Sequence, residues 1–533
     1  MPILKDIIKS LEDNNKVGAS LDLEYTEKSL LNLEITNITY DPDKVNSHSA
    51  YLCLENEEFP TNFGKYNSYQ LAKKAYQKGV RCFISRNALS FSLDCGGVFT
   101  IISDNINRLG GFFASIVYHN PFKDIQVIGV TGTKGKTTTS FFINSILSQA
   151  KKRTGIIGTV GIFYPSTHES TGFLSNPPAT DIFEIGVKMR KEQVEVLIME
   201  ITSHGAIFER NSALEFDMIL MTNMKSDHLD FHRTLLEYRN AKMLYFERLS
   251  SYDNPCIAIF NKDDIHTKEF IQTCHKGKAN GYEVLTYGIT DKQADLNAQV
   301  IKESDQGSLF ELYFKGKHID QINLRLPGLF NVYNGLAAIL ACQLLGIKHK
   351  HIKHVLENSV NVPGRFEIIE TKLGFKVVID YAHTYDSLRN IIESLKKITP
   401  KKVIVVFGCG GDRDKTKRPM MGEVASNLAD IVIITSDNPR DENPLSIIKD
   451  INAGIDDNHL AKVLVIADRK EAILKALKMA SKGDMLLVAG KGHERYQLIK
   501  GKFNDFDDTK IVNEFLVDLS CEGDTIYDHE TTS

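Results

Sequence analysis

A glycine-rich segment that begins at Val130 has the composition of a loop that binds phosphate. It reads VTGTKGKTT over residues 130–138, follows an apolar run and opens a stretch with apolar residues at every fourth position. Glycines let the backbone approach phosphate oxygens, and successive N–H groups at a helix N-terminus supply positive potential. In such a loop Lys136 reaches the outer phosphates and Thr137 binds Mg²⁺. A glycine-rich turn without a ligand is the alternative, because the spacing is one residue shorter than in the usual phosphate-loop motif.

Other ionisable residues also come after short apolar runs. Glu200 ends the run VEVLIM, residues 227–232 (DHLDFH) come after MILMT, residues 437–440 (DNPR) after DIVIITS, and residues 490–494 (GKGHE) after MLLVA. In open α/β sheets ligands bind beyond the carboxyl ends of the strands, so we expect these side chains to share one face of each sheet. A carboxylate beside a phosphate loop suits Mg²⁺. A helix cap or surface charge at Glu200, and a solvated helix start at residues 227–232, are the alternatives.

The elements that must position these residues are short strands that alternate with helices. The alternation starts near Asp124, runs to about Asn361 and resumes after Val362. It is typical of mostly parallel sheets that are covered by helices. Before it, short strand-like runs mix with one helical stretch, Tyr69–Lys78, and no phosphate-type loop occurs. The pattern therefore predicts an α/β protein with a smaller N-terminal part.

The composition is that of a globular protein with several domains. The chain has 533 residues, of which 42% are hydrophobic and 25% charged, and its net charge is −4. Such a charge does not favour binding to nucleic acid or to a membrane surface. The sequence contains no signal-peptide pattern and no apolar run of about 18 residues, so we expect no membrane insertion. Eight scattered cysteines without a CxxC pair predict a reduced protein of the cytoplasm.

The motifs, taken in order along the chain, resemble those of the Mur ligases. The resemblance covers about residues 30 to 510, and the members that add a diamino acid match in most detail. The motifs that carry it are TGTKGKTT (131–138), MEITSH (199–204), TNMKSDHLDFH (222–232), GLFNVYN (328–334), PGRFE (363–367), DYAHT (380–384), GDRDKTKRP (411–419), DNPR (437–440) and GKGHE (490–494).

The resemblance implies three α/β domains and an ATP-dependent ligase. The domains would be an N-terminal UDP-substrate-binding domain (1–121), a central P-loop ATPase-type domain with a parallel sheet (122–361) and a Rossmann-like amino-acid-binding domain (362–533). ATP would phosphorylate a carboxylate of UDP-N-acetylmuramoyl-L-alanyl-D-glutamate, and the amine of a diamino acid would attack the acyl phosphate, in peptidoglycan synthesis. The implied cofactors are ATP and Mg²⁺. We expect a cytoplasmic monomer that binds no nucleic acid.

The resemblance also assigns roles by position. It implies a catalytic set of Lys136, Glu200, His228 and Lys242, and magnesium ligands Thr137, Glu200, His228 and Lys242. It implies ATP binding by Gly132, Thr133, Lys134, Gly135, Lys136, Thr137, Thr138, Asn331, Asn334, Arg365 and Asp380. It implies binding of the UDP-linked substrate by Asn176, Thr202 and Arg210, and of the amino acid by Arg413, Asn438, Arg440, Gly490 and Glu494.

Lys242 is assigned by the resemblance alone. It falls in EYRNAKMLYF, where the family has a carbamylated lysine. Carbamylation turns an ammonium into an anionic oxygen donor, which explains a lysine near Mg²⁺. From the residues alone, Lys242 would be an ordinary solvated residue of a helix.

Three departures from the family pattern concern the acceptor substrate. The usual Asp-Ser-Arg is DPD at residues 41–43, the usual Asn-Thr-Thr-Pro is SNPP at residues 175–178, and Phe208 stands where glutamine is common. The motifs on the ATP side are intact. A related ligase with a different acceptor, or a non-catalytic relative that acts as a scaffold, therefore remains an alternative.

The loops that follow two late strands indicate which amino acid is added. Arg440 suits a carboxylate, because a guanidinium binds it through two parallel hydrogen bonds. Glu494 suits an amino group, so the pair fits the far end of meso-diaminopimelate, and DNPR is typical of family members that add it. The alternatives are addition of L-lysine or L-ornithine, or a surface pairing of Arg440 with Asp441 or Glu442.

Overall fold

A computed structural model of the chain describes residues 1–14, 17, 21–55, 67–91, 97–169, 174–276, 282–358 and 362–527, without the side chains of Asp230 and of residues 519–527. These residues form two compact units. The first comprises Met1–Asn297, Phe314–Gly316 and Leu336–Ile352, and the second Ala298–Tyr313, Lys317–Gly335 and Lys353–Ser533.

The first unit begins with a five-stranded sheet in the order β1-β5-β4-β3-β2, in which only β1 is antiparallel to its neighbour. Strands β3, β4 and β5 are short and almost wholly buried, whereas β1, at the edge, is mostly exposed. The elements are α1 (Leu4–Glu12), β1 (Asp22–Tyr25), β2 (Asn37–Thr39), β3 (Ser49–Leu52), α2 (Ser68–Gln77), β4 (Cys82–Ser85), β5 (Phe99–Ile102) and α3 (Ile106–Val117).

A larger sheet follows in the same unit. Its elements are β6 (Gln126–Thr131), α4 (Lys136–Gln149), β7 (Thr154–Ile157), β8 (Ile162–Tyr164), β9 (Thr167–Glu169), α5 (Ala179–Lys191), β10 (Val196–Glu200), α6 (Ser203–Ile207), β11 (Met218–Met221), α7 (Leu229–His232), α8 (Leu235–Glu247), β12 (Ile257–Asn261), α9 (Thr267–Lys276) and β13 (Glu283–Gly288). The strand order is β13-β12-β11-β6-β10-β7-β8-β9, and the strands from β13 to β7 are parallel. Every residue of β10 and β11 is buried, because helices cover both faces of the sheet.

Three long strands and two helices come next in the chain. They are β14 (Leu296–Ser304), β15 (Gly307–Phe314), β16 (Lys317–Leu324), α10 (Leu329–Leu344) and α11 (His349–Asn358). Helix α10 carries two predicted ATP-binding residues in its first turns, Asn331 and Asn334, and both are buried.

The second unit contains a six-stranded sheet in the order β17-β18-β22-β19-β20-β21, parallel except for β17. A separate hairpin pairs β23 with β24. The elements are β17 (Glu367–Glu370), β18 (Lys376–Asp380), α12 (Tyr385–Ile398), β19 (Val403–Phe407), α13 (Lys417–Leu428), β20 (Ile431–Ile434), α14 (Pro444–Asn452), β21 (Val463–Val465), α15 (Arg469–Met479), β22 (Met485–Ala489), β23 (Tyr496–Ile499), β24 (Lys502–Asp505) and α16 (Asp508–Tyr527).

The α/β class and the parallel sheets that the sequence predicts are confirmed. The helix predicted at Tyr69–Lys78 is α2, displaced by one residue. The domain boundary predicted at residue 121 lies between α3 and β6, and Asn361, at the second boundary, lies outside the described residues. Both boundaries stay predictions. No helix in the described parts of the chain combines the length and the apolar character needed to cross a bilayer.

A buried ion pair joins α15 to α16 in the second unit. The Arg469 guanidinium donates to both carboxylate oxygens of Asp508, at 2.9 and 2.7 Å, and neither side chain is exposed to solvent. A further hydrogen bond from Arg469 reaches the carbonyl of Ala489, the last residue of β22. The pair therefore holds two helices against the end of a central strand.

We predict that Asp508→Ala lowers the free energy of unfolding by about 3–5 kcal/mol, because it leaves the Arg469 charge buried without its partner. Urea denaturation followed by circular dichroism measures the change. The matched control is Lys510→Ala, which removes an exposed ion pair with Glu514 on the same helix and should cost less than about 1 kcal/mol. Equal effects of the two substitutions would contradict the prediction.

Candidate active site

The predicted phosphate loop lies between β6 and α4, and its backbone has the shape that the glycines predict. Gly132 has φ +133° and Gly135 has φ +88°, both in the region that side chains disfavour. A Cβ on Gly132 would also collide with the Thr222 hydroxyl. Gly135 is the N-cap of α4, so the first amide groups of that helix have no intrahelical partner.

Three side chains of the loop have well-defined surroundings. The Lys136 ammonium donates to the carbonyls of Gly132 and Thr133, at 2.9 and 3.1 Å, so it lies across the loop. Lys134 forms an ion pair of 3.0 Å with Asp227. Thr137 is buried in the first turn of α4.

The loop after β11 braces the phosphate loop. Asn223 accepts a hydrogen bond from the Lys134 amide at 3.0 Å and donates to the Lys134 carbonyl at 2.9 Å. The Thr222 hydroxyl is within 2.7 Å of the same carbonyl. These contacts come from the loop that follows a neighbouring strand, and they hold the phosphate loop in place.

Lys242 lies inside the protein, contrary to the solvated position that its sequence surroundings suggest. Its side chain is 1% exposed, and its ammonium donates to the Gly132 carbonyl at 3.0 Å and lies 4.8 Å from the centre of the Tyr238 ring. Burial lowers the pKa of Lys242 well below its usual value, and the charge of Lys136 lowers it further. Lys242 and Lys136 therefore share one carbonyl oxygen.

A cluster of histidines lies near Lys242. The ring centres of His204 and His228 are 5.0 Å apart, and those of His204 and His232 are 5.5 Å apart. Burial lowers the pKa of His204 to about 3, with a smaller contribution from the other two rings, so His204 is neutral at pH 7. His232 is buried and lies within 2.9 Å of the Ser203 hydroxyl, whereas His228 is exposed. The solvated helix start predicted as the alternative for residues 227–232 thus fits His228 and not His232.

Glu200, at the end of β10, is 1% exposed, which excludes the alternative of a surface charge. Its carboxylate accepts hydrogen bonds from the amide and hydroxyl of Thr159, at 3.0 and 2.9 Å. The Glu200 carbonyl accepts from Asn176 at 2.7 Å, and Asn176 in turn accepts from the amide and hydroxyl of Thr202. Arg210 donates to the Asn176 carbonyl at 3.2 Å. The three residues predicted to bind the UDP-linked substrate thus form one network with Glu200.

The side chains predicted to hold magnesium have the chemistry that a hard cation requires. Thr137, Glu200 and a carbamate on Lys242 would supply oxygen, the element that Mg²⁺ prefers, and His228 would supply nitrogen. Within the described ranges no three histidine, cysteine, aspartate or glutamate side chains form a metal cluster, and the predicted set contains only two residues of those types.

The second unit brings the other predicted nucleotide-binding residues into defined positions. The Arg365 guanidinium lies 4.6 Å from the centre of the Tyr381 ring, and the Asp380 carboxylate accepts from the Phe366 amide at 2.8 Å. In α10, Asn334 donates to Asn331 at 3.3 Å, and both amides are buried.

The loops after β20 and β22 meet in the same unit. Asn438 donates to Glu494 at 2.8 Å, which joins two residues predicted to bind the amino acid. Gly490 has φ +113°, and a Cβ there would lie 2.6 Å from the Asp437 carboxylate, so only glycine suits this position. Burial raises the pKa of Glu494, and the charge of Lys491 opposes this increase.

Arg440 and Arg413 supply positive charge to these loops. Burial lowers the pKa of Arg440, and the charge of Arg413 lowers it further. Arg440 has φ +55°, and its amide and carbonyl bond to Leu498 and Lys500 of the β23–β24 hairpin, at 2.9 and 2.8 Å.

The alternative surface pairing of Arg440 with Glu442 does not occur. Both carboxylate oxygens of Glu442 accept from the buried Arg418, at 3.0 and 2.8 Å. Lys415 also forms an ion pair with Glu442, at 3.2 Å. The Glu442 carboxylate is therefore bonded to α13 and to the segment just before it, and not to Arg440.

The sequence did not indicate the residues that support the predicted ones. Thr159 lies in no motif, although it holds the Glu200 carboxylate. Asn223 follows an apolar strand and lies within TNMKSDHLDFH, but neither signal assigned it to the phosphate loop. Lys491 lies inside GKGHE and received no role, although it is fully buried.

Comparison with known families gives two matches that follow each other along the chain. A model described as the Mur ligase middle domain matches residues 130–342, and one described as the Mur ligase, glutamate ligase domain matches residues 364–492. The first spans the phosphate loop through α10, and the second spans the loops that carry Arg413, Asn438 and Arg440.

Individual relatives extend the similarity over nearly the whole chain. A protein of Clostridium botulinum named UDP-N-acetylmuramoyl-L-alanyl-D-glutamate--2,6-diaminopimelate ligase is 38% identical over 503 residues, which cover 93% of this chain and 98% of that protein. A protein of the same name from Clostridium tetani is 34% identical and covers 97% of this chain and 99% of its own length.

Solved structures agree with the fold. A structure titled UDP-N-acetylmuramoyl-L-alanyl-D-glutamate--2,6-diaminopimelate ligase has a TM-score of 0.64 and 30% identity, and covers 91% of this chain and 95% of that one. MurF ligase from Thermotoga maritima, in complex with ADP, has a TM-score of 0.58 at 16% identity, covers 91% of this chain and 98% of that one, and is similar in fold alone. The ordered motifs, the two family matches and the similarity over nearly the full length show that this chain belongs to the Mur ligase family.

Proposed function

We propose that this chain is an ATP-dependent ligase that joins meso-diaminopimelate to UDP-N-acetylmuramoyl-L-alanyl-D-glutamate in peptidoglycan synthesis. The observation that carries the choice of amino acid is the pairing of charges in the second unit. The charge of Arg413 lowers the pKa of Arg440, and the charge of Glu494 opposes this effect. A substrate whose far end carries both a carboxylate and an ammonium group matches this arrangement.

The proposed reaction has two steps. A carboxylate oxygen of the UDP-linked dipeptide attacks the γ-phosphorus of ATP, so that ADP leaves and an acyl phosphate forms. The neutral amine of the amino acid then attacks the acyl carbon, phosphate leaves, and the amine loses a proton as the amide forms. Phosphorylation is needed because a free carboxylate is a poor electrophile.

The phosphate loop supplies the positive charge for the first step. We assign ATP phosphates to the amides of residues 132–138 and to Lys136, whose ammonium already lies across the loop. A fixed cation stabilises the charge that develops on the transferring phosphoryl group without reorganising during the reaction. Bound Mg²⁺ would neutralise phosphate charge, and Thr137, Glu200, His228 and carbamylated Lys242 are the residues proposed to hold it.

Burial favours the neutral amine that carbamylation of Lys242 requires. Only a neutral amine attacks carbon dioxide, forming an N–C bond and releasing a proton, and burial lowers the pKa of this lysine. The carbamate would replace a second ammonium beside Lys136 with an anion. This change would remove the repulsion between two cations that share the Gly132 carbonyl.

The remaining residues are assigned to the three substrates in turn. We assign the nucleotide to Asn331, Asn334, Arg365 and Asp380, the UDP-linked substrate to Asn176, Thr202 and Arg210, and the amino acid to Arg413, Asn438, Arg440, Gly490 and Glu494. The proposed domains are residues 1–121 for the UDP-linked substrate, 122–361 for ATP and 362–533 for the amino acid. We also propose that the enzyme acts as a monomer in the cytoplasm, where ATP is available.

A ligase with a different acceptor is the second candidate. Two features of the acceptor side favour it. Asn176 uses its side chain to hold Glu200 and Thr202, and the Phe208 ring lies 5.1 Å from the Arg210 guanidinium where family members commonly have glutamine. Phosphate release with a panel of UDP-linked acceptors distinguishes the two candidates.

We predict that Lys136→Ala lowers kcat at least about 10²–10³-fold, because a fixed cation at the transferring phosphate is lost. Phosphate release in the presence of ATP, the UDP-linked dipeptide and meso-diaminopimelate measures the rate. Lys191→Ala, at the exposed end of α5, is the control and should retain normal turnover. A folded Lys136→Ala protein with near-normal turnover would rule out the proposed role of the loop.

We predict that the Lys242 amine carries a carbamate. With ¹³C-labelled bicarbonate, wild-type protein should give a carbamate resonance that is absent from Lys242→Ala. The variant should lose activity at least about 10²-fold and recover part of it in acetate, which restores a small carboxylate. The exposed Lys225 provides the control, since Lys225→Ala should keep the resonance. A wild-type spectrum without this resonance would contradict carbamylation.

We predict that kcat/KM for meso-diaminopimelate exceeds the values for L-lysine and L-ornithine by about 10² or more, because two charge-assisted hydrogen bonds to Arg440 are lost with those amino acids. Arg440→Ala should remove most of this preference. The measurement is phosphate release with the three amino acids side by side, and it also tests the proposed function itself.

Arg495→Ala is the control for the specificity test, because Arg495 lies near the same loops and is 76% exposed. It should leave the preference unchanged. Equal use of lysine, or an unchanged preference in Arg440→Ala, would disprove the specificity but not the ligase. If no amino acid supports phosphate release by the wild type, the ligase assignment itself is wrong.

A further inference from the structure

Lys491 is a charged side chain that the protein buries completely. It lies in the loop after β22, between Gly490 and Gly492, and its side chain is 0% exposed. Removing an ammonium from water is costly unless hydrogen bonds and an opposite charge compensate it. The partners that compensate Lys491 are therefore informative about its role.

Both partners of Lys491 are residues proposed to bind the amino acid. Its ammonium donates to the Asn438 side-chain oxygen and to one oxygen of the Glu494 carboxylate, each at 3.1 Å. Asn438 closes the triangle by donating to the same Glu494 oxygen at 2.8 Å. The other oxygen of Glu494 lies 3.5 Å from the Tyr381 hydroxyl.

The chemistry of an ammonium fixes the orientation of Asn438. Lysine donates hydrogen bonds and accepts none, so the oxygen of the Asn438 amide must face it. The Leu498 amide donates to this same oxygen at 3.0 Å, which supports that orientation. The amide nitrogen of Asn438 is then directed to Glu494, and one carboxylate oxygen is engaged twice while the other has only the long contact to Tyr381.

The charges around Glu494 come from every element that surrounds it. The loop after β20 contributes Asp437 and Arg440, β18 is followed by Tyr381, β23 begins with Tyr496, and α15 begins with Arg469. Among these groups Lys491 is the cation in direct contact with the carboxylate. Burial and the charge of Asp437 raise the pKa of Glu494, and Lys491 opposes both effects.

We infer that Lys491 is a positioning residue for the incoming amino acid: it orients Asn438 and keeps the Glu494 carboxylate charged and turned toward an ammonium group of the substrate. The inference rests on the proposed function. It does not make Lys491 a ligand of the substrate, since its ammonium is fully buried and bonded to Asn438 and Glu494. Lys491 thus contributes a positive charge to the loops after β20 and β22, and this charge acts on the substrate through Asn438 and Glu494.

Two variants separate the two parts of this role. Lys491→Met removes both the charge and the donor, so KM for meso-diaminopimelate should rise about 10- to 100-fold while KM for ATP stays within about twofold. Lys491→Gln keeps a donor without the charge and should recover part of the affinity. Lys502→Met, on the exposed strand β24, is the matched control and should behave as the wild type.

The pH dependence gives a readout that general damage to the fold would not produce. Protonation of Glu494 should abolish binding of an ammonium, so kcat/KM for the amino acid falls at acid pH. Without Lys491 the pKa of Glu494 rises further, and the acid limb should move to higher pH by about 1–3 units in both variants. In Glu494→Gln this limb should be absent, and adding Lys491→Met should not restore it.

Each possible result with these variants either supports or overturns the positioning role of Lys491. A parallel rise of KM for ATP and for the amino acid, an unchanged acid limb, or a failure of both Lys491 variants to fold would overturn the positioning role and leave Lys491 as a purely structural residue. A wild type that releases no phosphate with meso-diaminopimelate would instead contradict the proposed function. The two failures are therefore distinguishable in one set of measurements.

Discussion

The parallel pairing of β6 with β10 and β11 is the interaction on which the candidate active site depends. The register places Glu200 opposite Val130 and Met221 opposite Thr131, so the three strands end at the same level. The loops that follow them must therefore meet. A shift of one residue in this register would turn every side chain of the shifted strand to the opposite face of the sheet. The main-chain position of Glu200 is thus a property of the sheet, and the loop with Thr159 then holds its carboxylate.

The strands of the second unit also end at a common level, and buried cations lie at these strand ends. Ala489 ends β22 opposite Asp380, β19 ends beside it, and β20 ends opposite the last residue of β19. Arg469 bonds to the carbonyl at the end of β22, and Arg418 bonds to the Gly410 carbonyl after β19. Guanidinium groups thus bond to the main chain where two of these loops leave the sheet.

The sequence predicts those features that local chemistry determines. The phosphate loop, the strands that end in polar residues and the α/β class all follow from glycine spacing and apolar periodicity, and the structure contains each of them. Lys242 could not be assigned in this way, because its burial depends on the packing of α8 against a carbonyl about 110 residues earlier. The contacts of Lys491 and Thr159 are likewise set by distant loops. Periodicity describes one element at a time, whereas these positions depend on the assembly of several.

The attachment of Arg440 to the β23–β24 hairpin has a consequence for how the family can diversify. The main chain of Arg440 takes a left-handed conformation and is bonded on both sides to the hairpin, which belongs to neither large sheet. A change in the length or pairing of the hairpin would re-aim the guanidinium while the sheet and the phosphate loop stayed as they are. Under the role proposed for Arg440, a change in this short hairpin would alter which amino acid the enzyme adds, and the phosphate loop would serve the new substrate without any change of its own.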